Sequence, residues 1–177
     1  MADDLVMVNG LPGSGKSSLG PGLAAALGAT FLAKDRIKDA LVEAVGPAVP
    51  GLGAVAMETA YALAANLDGT VVLDSWWFRP RDLEYARAGL ARCGAASIVE
   101  VWCAVPPELA RARYVARQRP AYYADADRLV TDWPRWAAEA EPLALGPVIR
   151  VDTSAPVDLE TLCAQIHAAL RCDNLAG

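Results

Sequence analysis

The stretch Gly10-Leu11-Pro12-Gly13-Ser14-Gly15-Lys16-Ser17 places three glycines, a lysine and a hydroxyl at the spacing G-x-x-x-x-G-K-[ST]. Each residue type has a chemical reason to be there. Glycine reaches backbone angles closed to other residues, so consecutive N–H groups can turn inward onto phosphate oxygens. A helix beginning at the end of the loop adds unsatisfied N–H donors and the positive end of its dipole. Lys16 can reach the β- and γ-phosphates as a point charge, and the Ser17 hydroxyl can ligate Mg²⁺. Residues 10–18, Ser18 included, are therefore expected to cradle the phosphates of ATP. The guanine-selecting N-K-x-D pattern is absent, which argues against GTP.

A carboxylate follows at Asp35, at the end of Thr30-Phe31-Leu32-Ala33, with Lys38 one helical turn further on. The carboxyl end of a strand in an open α/β sheet is where ligands sit. There Asp35 could take a proton from an attacking hydroxyl, hold a water on the metal, or simply cap the next helix. Asp74 ends the apolar run Val71-Val72-Leu73 and can act on the metal or its waters; a turn or capping role is the plainer alternative. Trp76, Trp77, Phe78 and Arg79 come directly after it. Such a group is either core or a wall that stacks on a sugar or aromatic ring, and Trp76, Trp77 and Arg79 are candidate acceptor contacts beside Asp35 and Lys38. A fourth cluster contains Arg111, Arg113, Arg117 and Arg119. Arg113 and Arg117 stand four apart and share a helix face, where guanidinium forks can hold phosphate or stabilise charge on a transferred phosphoryl group. For Arg111 and Arg119, solvation at a helix end is explanation enough.

These residues need elements to position them. Leu5–Val8, Thr30–Ala33, Val71–Leu73, Ser97–Ala104 and Val148–Val151 read as strands buried in a parallel sheet. Helices are expected over Ser17–Leu27, Arg36–Val45, Val55–Leu67, Arg81–Arg92, Pro106–Arg117, Trp133–Glu141 and Val157–Leu170. Tyr122–Arg128 reads as a polar loop, and residues 118–131 as a lid able to close over ATP. Strands alternating with helices define an α/β domain built from βαβ units, and residues 1–177 contain no linker that would divide it.

Composition narrows the field. The chain has 177 residues, 54% hydrophobic and 21% charged, which excludes wholesale disorder. Its net charge of −5 argues against broad nucleic-acid binding. Cys93, Cys103, Cys163 and Cys172 form no C-x-x-C pair, and with the single histidine, His167, they do not match a zinc spacing. Buried reduced thiols, no leader and no apolar run of membrane-spanning length together point to a cytoplasmic protein.

The phosphate loop, Asp35-x-x-Lys38, Val71-Val72-Leu73-Asp74, Arg113-x-x-x-Arg117 and Val151-Asp152-Thr153-Ser154 occur in this order. That layout resembles the small P-loop kinases grouped with chloramphenicol phosphotransferase, zeta toxins and the kinase domain of polynucleotide kinase. The resemblance implies a five-stranded parallel sheet flanked by helices, with an Arg-rich lid. It also implies transfer of the γ-phosphoryl group of ATP, with Mg²⁺, to a hydroxyl. Asp35 then matches the general base, Arg113 and Arg117 touch the nucleotide, and Thr153 lies beside the adenine. Many relatives carry Arg where Lys38 stands, a substitution that keeps charge but loses bidentate geometry. The expected acceptor is an antibiotic-, sugar- or nucleoside-like alcohol. A polynucleotide 5′-hydroxyl kinase, a toxin-like nucleotide-sugar kinase and an ATP-binding regulatory protein without an acceptor are the competing readings. Neither the acceptor nor the oligomeric state is written in the sequence.

Overall fold

In a computed structural model describing residues 2–173, the five strands are β1 (Asp4–Asn9), β2 (Thr30–Ala33), β3 (Thr70–Asp74), β4 (Ser97–Ala104) and β5 (Val148–Asp152). They form one sheet in the order β2-β3-β1-β4-β5, and every pairing is parallel. Parallel neighbours require crossovers, which the helices α1 (Lys16–Leu27), α2 (Lys34–Val45), α3 (Leu52–Ala64), α4 (Arg79–Cys93), α5 (Pro107–Ala116) and α8 (Leu159–Asp173) help supply. Side chains alternate along each strand, and both faces are covered. Leu5, Met7, Val71 and Leu73 pack under α3 and α4, while Val6, Val8, Val72, Val99 and Val101 pack under α1 and α8. This is why the strand sequences are continuously apolar rather than alternating.

The expected element order holds, with differences at the edges. α3 starts three residues earlier than expected, after Gly51 at φ 76°. The segment Tyr122–Arg128 is not a loop. A 3-10 turn at Ala121–Tyr123 leads through Ala124, at φ 54°, into α6 (Asp125–Thr131), and α7 (Trp133–Glu139) follows. Asp125 and Asp127 sit in the first turn of α6, where acid complements the dipole of a helix too short to show apolar periodicity. Asp35 does not cap α2; Ala33 occupies that position and Asp35 lies in the first turn.

Midway along β4 one buried carboxylate fixes several segments. Glu100 is 1% exposed. Its Oε1 accepts from Asn9 Nδ2 (2.8 Å) and from the Leu143 amide (3.0 Å), and its Oε2 accepts from the Ala144 amide (2.8 Å). Asn9 Oδ1 in turn accepts from the amides of Gly10 (2.8 Å) and Trp77 (3.1 Å). A Glu100→Gln substitution turns an acceptor towards N–H donors into a donor. It is expected to cost about 1–3 kcal/mol in a urea denaturation series; an unchanged midpoint would show that the network does not hold these segments. Cys93 and Cys103 are buried free thiols, Cys163 is half-buried, and the Cys172 side chain lies outside the described residues. Among the described residues no helix is long and apolar enough to cross a membrane.

Candidate active site

The sequence switches direction about β1: β3 lies on one side of it and β4 on the other. A crevice therefore opens at its carboxyl end, and the phosphate loop lies across it. Gly10, Gly13 and Gly15 have φ of 144°, 85° and 94°, so the glycine positions of the motif are conformational requirements. A side chain at Gly13 would also run into the carbonyl of Ala110, because α5 packs directly over the loop. Lys16 starts α1 and is buried, with Nζ donating to the carbonyls of Gly10 (2.7 Å) and Leu11 (2.9 Å). Burial pushes its ammonium down to about 8, against the opposing attraction of Asp74. A cation held dry, with only carbonyl dipoles as close partners, is ready for an anion.

The Ser17 hydroxyl donates to Asp74 Oδ2 at 3.1 Å. Asp74 is 6% exposed, and burial raises its carboxyl while Lys16 and the Ser17 bond lower it. A hydroxyl and a carboxylate beside phosphate-binding amides suit Mg²⁺, which takes one or two protein oxygens and completes its shell with phosphate and water. Ser17 and Asp74 are thus the residues here whose chemistry fits Mg²⁺.

Two hollows flank the loop. The first, of about 420 Å³, is bordered by Lys16, Ser17, Asp35, Lys38, Asp74 and Trp76 among others. The second, of about 610 Å³, is bordered by Gly13, Gly15, Ser18, Arg113, Arg117 and Thr153. Arg113 donates to the carbonyls of Thr153 (3.0 Å) and Ser154 (3.2 Å), tying α5 to the segment after β5. Thr153 Oγ1 donates to the Ser14 carbonyl. Arg117, just past the end of α5, borders both hollows, and its guanidinium makes no ion pair among the described residues. Burial lowers its pKa, and the neighbouring Arg119 adds to that.

The lid lies docked on α2. Arg119 donates from Nη1 to Asp35 Oδ2 (2.9 Å), and from Nε to Asp125 Oδ2 (2.7 Å) with Nη2 on Oδ1 of the same carboxylate. Its guanidinium also lies 3.9 Å from the Tyr123 ring centroid. The hydroxyls of Tyr122 and Tyr123 both donate to Asp39, at 2.7 and 2.6 Å. Lys38 Nζ donates to the Tyr122 carbonyl (3.3 Å) and lies 4.1 Å from the Tyr123 ring centroid. Arg119 is thus not a solvated end of a helix but the link between lid and Asp35, a role that spacing alone could not reveal. Arg111 is exposed, as is His167 on α8.

The aromatic run divides. Trp76 borders the first hollow, packed against Phe78 and Trp136, with the Lys16 ammonium 5.9 Å from its ring centroid. Trp77 is 2% exposed in the core under α3 and α4, its indole N–H donating to the Tyr61 hydroxyl at 3.2 Å. It does not border the first hollow but is among the residues lining a neighbouring one. Arg79 points elsewhere, pairing with Glu141 at 3.5 Å. Strand alternation explains the split, since consecutive residues leaving β3 face opposite sides. Asn9, Glu100, Trp136 and Arg128 are site components the sequence reading missed. A polar residue and an acid inside otherwise apolar strands were the available signal for the first two.

A parallel five-stranded sheet flanked by helices, with a phosphate loop between its central strand and the following helix, defines the P-loop kinase fold. The chain belongs to the AAA domain family, whose model matches residues 5–142. Solved structures show the same fold at low identity. A kinase candidate from Chloroflexus aurantiacus j-10-fl is 21% identical over 94% of this chain and 98% of its own, with a TM-score of 0.73. A gluconokinase from Sinorhizobium meliloti 1021 is 20% identical over 96% and 93%, with a TM-score of 0.59. A shikimate kinase from Bacteroides thetaiotaomicron is 17% identical over 94% and 98%, also with a TM-score of 0.59. No curated protein matches the chain.

Proposed function

We propose that the protein is an ATP-dependent phosphotransferase that moves the γ-phosphoryl group to a hydroxyl of a small molecule. The observation that carries the reading is the placement of Lys16, the Ser17–Asp74 pair and Asp35 around one hollow, with Arg117 bordering it and the second hollow together. The nucleoside end of ATP suits the second hollow, along Arg113 and Thr153, and the acceptor suits the first. Mg²⁺, when bound, neutralises charge on the β- and γ-phosphates; Ser17 and Asp74 are the residues to hold it. Lys16 and the loop amides fix the phosphates, Asp35 takes the proton of the acceptor hydroxyl as its oxygen bonds to phosphorus, and ADP leaves. Arg117 meets the charge that spreads over the transferred group. Little covalent work falls to the protein, so positioning and electrostatics supply most of the rate. Trp76 and Trp136 give the acceptor side an apolar wall suited to a sugar- or nucleoside-like ring. A cytoplasmic setting, where ATP is abundant, follows from the same reading.

The direct test incubates the protein with Mg²⁺-ATP and a panel of sugars, sugar acids, nucleosides and antibiotic alcohols, followed by mass spectrometry. The expected result is a phosphorylated product with stoichiometric ADP. ATP turnover with no phosphorylated member of a broad panel would instead favour an ATP-binding regulatory protein.

A further inference from the structure

The charge balance of the first hollow is the reverse of the chain's. Seven of the 16 Lys and Arg residues border it, with only two of the 21 acids, in a protein of net charge −5. Some of that charge is already accounted for. Lys16 and Arg117 face the triphosphate, Arg81 is held by Asp82 through bonds of 2.6 and 2.7 Å, and Arg119 is shared between Asp35 and Asp125. Lys34 has Asp35 at 3.7 Å, and Arg128 donates from Nε to the Tyr123 carbonyl (3.2 Å) but has only a long 3.8 Å ion contact, with Asp132. Lys38 has no carboxylate in ion-pair contact among the described residues; its close partners are a carbonyl and two tyrosine rings.

Lys38 is also crowded by its own kind. Burial lowers its pKa, then Lys34, with Arg128 and Arg119 adding repulsion and Asp35 opposing. Like charges gathered in a partly enclosed space cost stability unless a ligand supplies the counter-charge. Arg128 and Lys34 also border the adjoining hollow of about 360 Å³ behind Trp76, so the cationic wall is continuous past the acceptor side.

We infer that the acceptor carries an anionic group, a carboxylate or a phosphate, bound by Lys38 and Arg128 between α2 and the lid while its hydroxyl faces Asp35. This rests on the phosphotransferase reading for the hydroxyl but not for the anion. It also sets aside neutral antibiotics as the favoured acceptors, since an uncharged alcohol would leave Lys38 without a counter-charge.

The test reads binding without turnover. With the phosphate loop saturated by Mg²⁺ and a non-hydrolysable ATP analogue, tryptophan fluorescence and thermal shift are titrated with matched probes: glycerol, glycerate and glycerol 3-phosphate, then glucitol and gluconate. At least one anionic member is expected to bind about tenfold or more tightly than its neutral partner. Comparing the glycerate and glycerol 3-phosphate arms tells carboxylate from phosphate. In Lys38→Met and Arg128→Met that advantage should disappear while affinity for the ATP analogue is unchanged. Equal or absent binding of all probes, or an advantage that survives in both variants, overturns the inference. Absence of phosphoryl transfer in the panel assay, with anion binding intact, would overturn the phosphotransferase reading alone.

Discussion

Asp35→Asn is expected to lower kcat by about two to four orders of magnitude, the usual yield of a positioned general base. ATP affinity should hardly change, because Asp35 lies on the side of the phosphate loop proposed for the acceptor and makes no hydrogen bond to the loop. Stability should fall little as well. The Asp35 side chain is 49% exposed and Arg119 keeps Asp125 as a second carboxylate partner, so losing that ion pair costs about 1 kcal/mol. The discriminating measurement is therefore single-turnover transfer at saturating ATP, alongside an analogue-binding titration. A variant that binds ATP and transfers phosphate at the wild-type rate would remove Asp35 from the chemistry and leave it as the lid's anchor.

The second large effect concerns Lys16. Lys16→Met should abolish transfer and weaken ATP binding severely, and it should also stabilise the ligand-free chain. The buried ammonium titrates near 8 instead of 10.5, so below about pH 8 folding carries the burden of a charged group out of water. That burden amounts to at most about 3 kcal/mol, offset in part by the two carbonyls that Lys16 meets. The sign follows from proton counts. Between about pH 8 and 10.5 the unfolded chain holds a proton on Lys16 that the folded chain has lost, so folding becomes more favourable as pH rises through that window. The advantage of the methionine variant should be largest near pH 7 and shrink towards pH 10.5. Urea denaturation of both proteins at several pH values checks it; a variant less stable than wild type at pH 7 would show that the carbonyl bonds outweigh desolvation.

The two predictions draw on different depths of legibility. The phosphate loop could be read directly because its geometry is local: three glycines, a lysine and a serine within eight residues, preceded by a strand and followed by a helix. Asp74 was nearly as plain, since an acid at the end of a buried strand stands out against its neighbours. The Asp35–Arg119 contact joins residues 84 apart through a lid that carries no apolar period, so only the folded chain brings them together. The burial of Trp77 was hidden for a related reason. Side chains leaving a strand alternate, but the phase of that alternation depends on where pairing stops, and Val8↔Asp74 is the last pair of its ladder. Glu100 and Asn9 left only a faint trace, a polar residue in each of two apolar strands, whose meaning appears once the strands lie in register.

Arg119 also bears on what the protein does when no acceptor is present. Its Nη1 occupies Asp35 Oδ2, the kind of oxygen that could otherwise take a proton from a stray water near the γ-phosphate. An acceptor bound as proposed would compete with the lid's own arginine for that oxygen. On the proposed mechanism, idle consumption of ATP would be restrained by the same residue that fastens the lid, and release of the carboxylate would be tied to recognition of the molecule to be phosphorylated.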